Sequence, residues 1–345
     1  LPKKISISNK SNILGIETSC DETSAAVLRG TELRSVIISS QLFHSAYGGI
    51  VPELASRAHI KAMIPIVEEA LQKAGTSKDE IDAIAVTNAP GLMGSLLVGL
   101  NFAKGLALSL GIPLVGVHHI EAHIFSVLLE KDHPEFPFIA LIVSGGHTLL
   151  VLVRDVGDYS ILGKTLDDAA GEAFDKGGKM MGLGYPAGPD IDRLAKTGDA
   201  KFATFPRAMM HDENYDFSFS GLKTSLLYYL RDNPDVLKDH LNDIAASFQR
   251  AIVEVLIAKT MRAATENGVR DIICAGGVSA NSELRTFFSD ACKKNGMRFF
   301  SPRPLLSTDN AAMIALLGAM KLERGITSSL SLTAQAYTKL EEITA

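Results

Sequence analysis

Two stretches of this chain share one grammar. "NILGIETSCDETSAAVLRG" (residues 12–30) and "FIALIVSGGHTLLVLVRD" (138–155) each run from an apolar strand through a small polar turn into a second apolar strand. Each reads as a β-hairpin whose tip is built from Ser, Thr, Asp or Gly, residues suited to tight turns. The two begin about 125 residues apart, and each precedes a mixed strand–helix region. That is the mark of an internal duplication, one copy per domain. Helices are expected over about 58–74, 96–110 and 237–267, in part over 167–181, and in a final segment opening at Asp309 and closing at Gly325. Strands are expected at 83–87, at 113–117 and ahead of Gly276-Gly277. Strands alternating with helices make the class α/β, with a site expected in a cleft between two packed domains.

The 345 residues suffice for two domains that each bury a core. A formal net charge of −5 gives no basic footprint for nucleic acid, so RNA binding would need a local patch or a partner. Cys20, Cys274 and Cys292 are widely spaced without a CxxC pair, which suits a reducing compartment. The start, "LPKKISISNKSN", has no signal-peptide apolar core. The most apolar region, 94–117, is broken by Asn101, Lys104, several glycines and Pro113, so no membrane span is expected. Cytoplasmic placement is the default.

The segment "HHIEAH" puts His119 and His123 four apart, one turn apart on one helix face. A zinc-protease HExxH needs its Glu directly after the first His; Glu121 comes two residues after, so that reading fails on geometry. A carboxylate would complete a site for iron or zinc. Asp309 is the best candidate, although a helix-start Asp ordinarily serves as a cap. Ser, Thr and Gly at the two hairpin tips could form anion nests for phosphates. In "CAGGVSAN", Gly276-Gly277 ends an apolar strand ahead of a helix, letting a ring or ribose approach the backbone; a tight strand–helix turn is the competing reading. Asn281 there either contacts a nucleoside or caps the helix. Asp175 and Asp192 flank a Gly-rich stretch and could accept from ribose hydroxyls. Neither GxxxxGK[ST] nor GxGxxG occurs.

Together "GIETSCDET", "YGGIVPELASRAH", "APGLMGSLLVG", "HHIEAH", "VSGGHT", "DDAAGEAFDK", "YPAGP", "DFSFSGLKT", "AGGVSAN" and "STDNAAMIA" resemble the TsaD family, long labelled glycoprotease, from about Asn12 to Gly325. The resemblance implies an actin-like fold, shared with sugar kinases and heat-shock ATPases: two ribonuclease-H-like domains around a nucleotide cleft. The domains would span 12–135 and 136–325, with a tail at 326–345 packing back on the first. It implies transfer of threonylcarbamoyl from threonylcarbamoyl-adenylate to the exocyclic amine of the adenosine 3′ of the anticodon, in tRNAs reading codons that begin with A. It assigns a divalent metal, Fe(2+) ahead of Zn(2+), to His119, His123 and Asp309. It assigns substrate binding to Ile142, Val143, Ser144, Gly145, Gly146, Asp175, Gly188, Asp192 and Asn281, and places Glu17 and Asp21 near the reacting centre. Its partners are tRNA, a TsaB-like paralogue forming a heterodimer and a TsaE-like ATPase. The rivals are a metalloprotease acting on sialoglycoproteins and an ATPase of the same fold, which fold alone does not exclude. Cys20 lacks an adjoining His and is not expected to be a nucleophile.

Overall fold

The computed structural model describes residues 11–47 and 49–340, in two compact units. The first opens with β1 (Asn12–Glu17), β2 (Glu22–Arg29) and β3 (Glu32–Ser40), an antiparallel meander. Then come α1 (Pro52–Ala74), β4 (Ala83–Ala89), α2 (Met93–Leu110), β5 (Leu114–His118) and α3 (His119–Phe125). β4 pairs parallel with β1, and β5 with β4, giving the order β3-β2-β1-β4-β5. Helix α1 begins at Pro52 rather than Ala58, because a proline at the first helical position sacrifices no intrahelical bond. Left-handed glycines stop α1 and α2, Gly75 at φ 63° and Gly111 at φ 67°.

The second unit, 134–301, repeats this plan. Its strands are β6 (Phe138–Val143), β7 (Thr148–Asp155) and β8 (Asp158–Lys164), followed by helices α4 (Ala170–Met180), α5 (Gly188–Ala195), α6 (Ser220–Asp232) and α7 (Val236–Glu266). β9 (Asp271–Ala275), α8 (Ser282–Lys294) and β10 (Arg298–Phe300) complete it. The sheet order, β8-β7-β6-β9-β10, matches the first strand for strand, with the same antiparallel and parallel pairings. The duplication read from two hairpins is therefore a duplication of whole five-stranded sheets.

The chain then rejoins the first unit with α9 (Pro304–Ser307) and α10 (Ala311–Glu323). This departs from the division at 325 expected from the sequence. Helix α10 is buried from Ala311 through Lys321, so it needs an apolar sheet face, and it finds one on β1, β2 and β4 of the first unit. The approach is close because the facing residues are small. A Cβ on Gly15 would meet the Ala311 carbonyl at 2.3 Å, and one on Gly318 would meet Ala85 at the same distance. On the sheet's other face, α1 and α2 enclose a core of Leu14, Ile16, Val67, Ile84, Val86 and Leu100. Beyond α10, Ser328 bridges Leu114, and Gln335 donates to the Asn88 carbonyl. Helix α2 is long and apolar enough to cross a membrane by length and composition, and it packs Leu100, Ala103 and Ala107 into this core.

Candidate functional site

β5 runs directly into α3, and the His118 side chain caps the helix by accepting from the Glu121 N–H. All seven residues of α3 are buried. His119 and His123 lie one turn apart, their rings edge-to-face with centroids 4.6 Å apart. Asp309 reaches them from the start of α10. Its Oδ1 is 3.1 Å from His123 Nε2 and 3.4 Å from His119 Nε2. The capping role expected of Asp309 belongs instead to its neighbour, since Asn310 accepts from the Met313 N–H. Asp309 is thereby left for the histidines.

Glu17, at the end of β1, is wholly buried. It accepts from the Thr87 hydroxyl at 2.6 Å, from the Ser19 N–H, and sits 3.1 Å from His119 Nδ1. A carboxylate on the far nitrogen of an imidazole fixes its tautomer and leaves the other nitrogen for a metal. Glu17 thus stands beside the candidate metal centre, where its engaged oxygens suit it to orienting His119.

The electrostatics favour a cation. Burial would lower the His119 pKa, but the Asp309 and Glu17 carboxylates outweigh it and hold the imidazole well above its usual range. Burial likewise works to raise Asp309 and Glu17, and His119 draws both below theirs. The three ligand atoms of His119, His123 and Asp309 lie within 4.8 Å of one another. Two imidazoles and one carboxylate fit a divalent ion of iron or zinc type, with positions left for a substrate.

A second carboxylate pair borders this centre. Glu22 is pushed up to about 9 by burial, then by the charges of Asp309 and Asp21, and shares a hydrogen bond with Asp21. Sequence reasoning picked Asp21 and passed over Glu22, whose only signal was its place in "CDET". The same burial and carboxylates push the Cys20 thiol far up, which removes it as a nucleophile. Glu121, the glutamate between the two histidines in sequence, pairs with Lys321 at 2.6 Å.

The second unit assembles the other expected residues. In the β6–β7 turn the Ser144 hydroxyl accepts from the His147 N–H, and Gly145 and Gly146 are exposed. α4 starts against this turn: Gly171 donates to the Ser144 carbonyl, and a Cβ there would lie 2.5 Å from that oxygen. Gly276, at φ 91°, passes so close to Val143 that any side chain would strike its carbonyl. Ile142 and Val143 themselves are wholly buried in β6, the strand that leads into the turn. Asp175 accepts from the N–H groups of Ala187 and Gly188 and is raised by burial. Asp192 holds the Ser282 hydroxyl and N–H. Asn281 caps α8 through Leu284, and its amide donates to Gln249 at 2.6 Å. Capping, the plainer of its two readings, is therefore realised. Gly188, Asp175, Asp192 and Asn281 form one connected neighbourhood with the α5 and α8 starts.

Two five-stranded sheets of this order define the actin-like ATPase fold, here carrying a centre of two buried histidines and a half-buried carboxylate. Solved structures agree on the fold. HypF from T. kodakarensis superposes with a TM-score of 0.62 at 16% identity, over 94% of this chain and 49% of that one. Component A of (R)-2-hydroxyglutaryl-CoA dehydratase from Acidaminococcus fermentans gives 0.56 at 14% identity, over 91% and 100%. Within that fold, the chain belongs to the TsaD family, tRNA N6-adenosine threonylcarbamoyltransferase, which matches residues 32–316. Relatives carrying that name include one from Chloroherpeton thalassium, 54% identical over 96% of this chain and 98% of its own. Another, from Syntrophotalea carbinolica, is 53% identical over 96% and 97%. The chain is thus a member of a transferase family.

Proposed function

We propose that this chain transfers threonylcarbamoyl from threonylcarbamoyl-adenylate to the exocyclic amine of the adenosine 3′ of the anticodon, in tRNAs reading codons that begin with A. The observation that carries the reading is the centre formed by His119, His123 and Asp309, charged to hold a cation, in a member of the TsaD family. These three residues hold one divalent ion, iron first and zinc second. When bound, the ion supplies Lewis-acid polarisation of the carbamoyl carbonyl or a phosphate oxygen.

The chain's own residues do the rest. Glu17 and Thr87 keep His119 in its tautomer. The exposed turn at Gly145 and Gly146 offers backbone donors to the phosphate, as such turns do for anions. Asp175, Gly188, Asp192 and Asn281 shape the nucleoside end; Asn281 keeps one amide hydrogen beyond its bond to Gln249. The amine nitrogen attacks the carbamoyl carbon, the bond to the phosphate oxygen breaks, and AMP leaves with the electron pair. The amine's proton is released to solvent, and Asp21 stands near the reacting centre. Adenosine's amine is a weak nucleophile, so positioning supplies much of the rate. The enzyme works in the cytoplasm on tRNA with a TsaB-like paralogue and a TsaE-like ATPase; with a net charge of −5, its hold on RNA rests on a local basic patch or on those protein partners.

Radiolabelled threonylcarbamoyl-adenylate, tRNA and the purified chain with its partners test this. Label appearing on N6 of that adenosine supports the reading; hydrolysis of the adenylate without label on tRNA refutes it.

A further inference from the structure

Glu121 stands between the two histidines in sequence, yet it faces away from Asp309 and toward Lys321 near the end of α10. Lys321 Nζ lies 2.6 Å from Glu121 Oε2, with the carboxylate side chain 1% exposed and the lysine 10%. The partners are 200 residues apart in the chain. They join the two helices that deliver the metal donors: α3 carries His119 and His123, and α10 begins two residues after Asp309. We propose that Glu121 and Lys321 are positioning residues, a strut that fixes α10 along its axis against α3 and so sets Asp309 at the histidines. The inference rests on the metal reading above.

Three observations support it. First, α3 has only seven residues, far too few to hold a helical geometry without tertiary anchors. Second, α10 packs through small residues (Ala311, Ala315 and Gly318 against Gly15 and Ala85), and apolar contact is non-directional. Such a seam sets how close the helix lies and sets its axial position less firmly. A slide of one residue rise, about 1.5 Å, would break a 3.1 Å contact between Asp309 and His123. An ion pair with a defined donor and acceptor resists that slide. Third, a buried ion pair brings little net stability, because desolvation offsets the attraction. An apolar pair would hold the core as well, so geometry is the use left to it.

The test compares wild type with Lys321→Met, Lys321→Arg and the double variant Glu121→Gln/Lys321→Met. Zn2+ affinity is read by chelator competition, Co2+ coordination by visible absorption, and folding by far-UV circular dichroism of the metal-free proteins. Lys321→Met removes the cation from a buried carboxylate and can fail to fold; the double variant removes both charges and decides the matter. The strut predicts a folded double variant with Zn2+ affinity at least tenfold weaker and an altered Co2+ spectrum, while Lys321→Arg stays within threefold of wild type. A folded double variant with wild-type affinity and spectrum overturns the inference alone. A double variant that does not fold also overturns it, because a role in stability then suffices. Wild-type protein that takes up neither ion overturns the metal reading as well.

Discussion

Replacing Gly15 by Ala asks whether the close seat of α10 on β1 sets the metal centre. The added Cβ would lie 2.3 Å from the Ala311 carbonyl oxygen and 2.8 Å from the Ala315 nitrogen and Cβ. The nearest obstacles are backbone, so no rotamer change relieves them. Against an optimal contact of roughly 3.5 Å, α10 must retreat by about 1 Å. Overpacking of this kind costs about 1–3 kcal/mol, and the entropy returned by removing a glycine offsets roughly 0.5–1 kcal/mol of it. A net loss of about 1 kcal/mol is expected, read as a shifted denaturant midpoint of the metal-free protein. Asp309 lies two residues before α10, so the same retreat stretches its contact to His123, and metal affinity should fall at least tenfold. Gly105→Ala is the control: it sits inside α2 with open space around its missing Cβ. It should gain about 0.5–1 kcal/mol and leave metal uptake alone. A Gly15→Ala protein with unchanged midpoint and full metal affinity refutes the reasoning.

Other perturbations read other parts of the site. The raised pKa of Glu22 means the folded metal-free protein holds a proton that the unfolded chain has lost, so its contribution is present below 4.5 and lost as pH rises toward about 9. With chelator present, stability should fall across that window, and Glu22→Gln should flatten the fall; an unchanged profile counts against the burial argument. His119 is held protonated between two carboxylates, so Zn2+ uptake at neutral pH should expel about one proton. Calorimetry in buffers of different ionisation enthalpy measures that count, and a value of zero contradicts the assignment. Asn281→Asp keeps the cap but loses the donor to Gln249 and sets a carboxylate beside it. Adenylate affinity should drop by about 1–3 kcal/mol in a folded protein; unchanged affinity leaves Asn281 as a cap alone.

The fold was legible because it is written in local pattern. Strand periodicity and polar tips marked both hairpins, and their recurrence implied an internal duplication, one copy per domain. The histidine pair was legible too, since four-residue spacing is a property of any helix. What escaped depends on what packs against what. Nothing in "TDNAAMIALLGAMKLERG" says that it belongs to the first sheet; that follows from Gly15 and Ala85 leaving room for it. Two adjacent polar residues, Asp309 and Asn310, could each cap α10, and only coordinates assign the cap to Asn310. Glu17 and Glu22 look alike in sequence, yet one is engaged by Thr87 and His119 and the other keeps a proton beside Asp21. Their difference is made by neighbours far along the chain. Ile142 and Val143 were assigned to substrate binding by the resemblance alone, and strand alternation could not show that both of their side chains are wholly buried.

The central claim is that His119, His123 and Asp309 hold a divalent ion on which threonylcarbamoyl transfer depends. Its most direct test is single-turnover transfer from preformed adenylate to tRNA, with partners present, by protein stripped of metal and then reloaded with Fe2+ or Zn2+, alongside His123→Ala treated identically. The account predicts that stripping abolishes transfer, that reloading restores it in wild type at one ion per chain, and that His123→Ala folds but neither binds the ion nor recovers. Full transfer by the stripped wild-type protein, or by the metal-free His123→Ala variant, contradicts it.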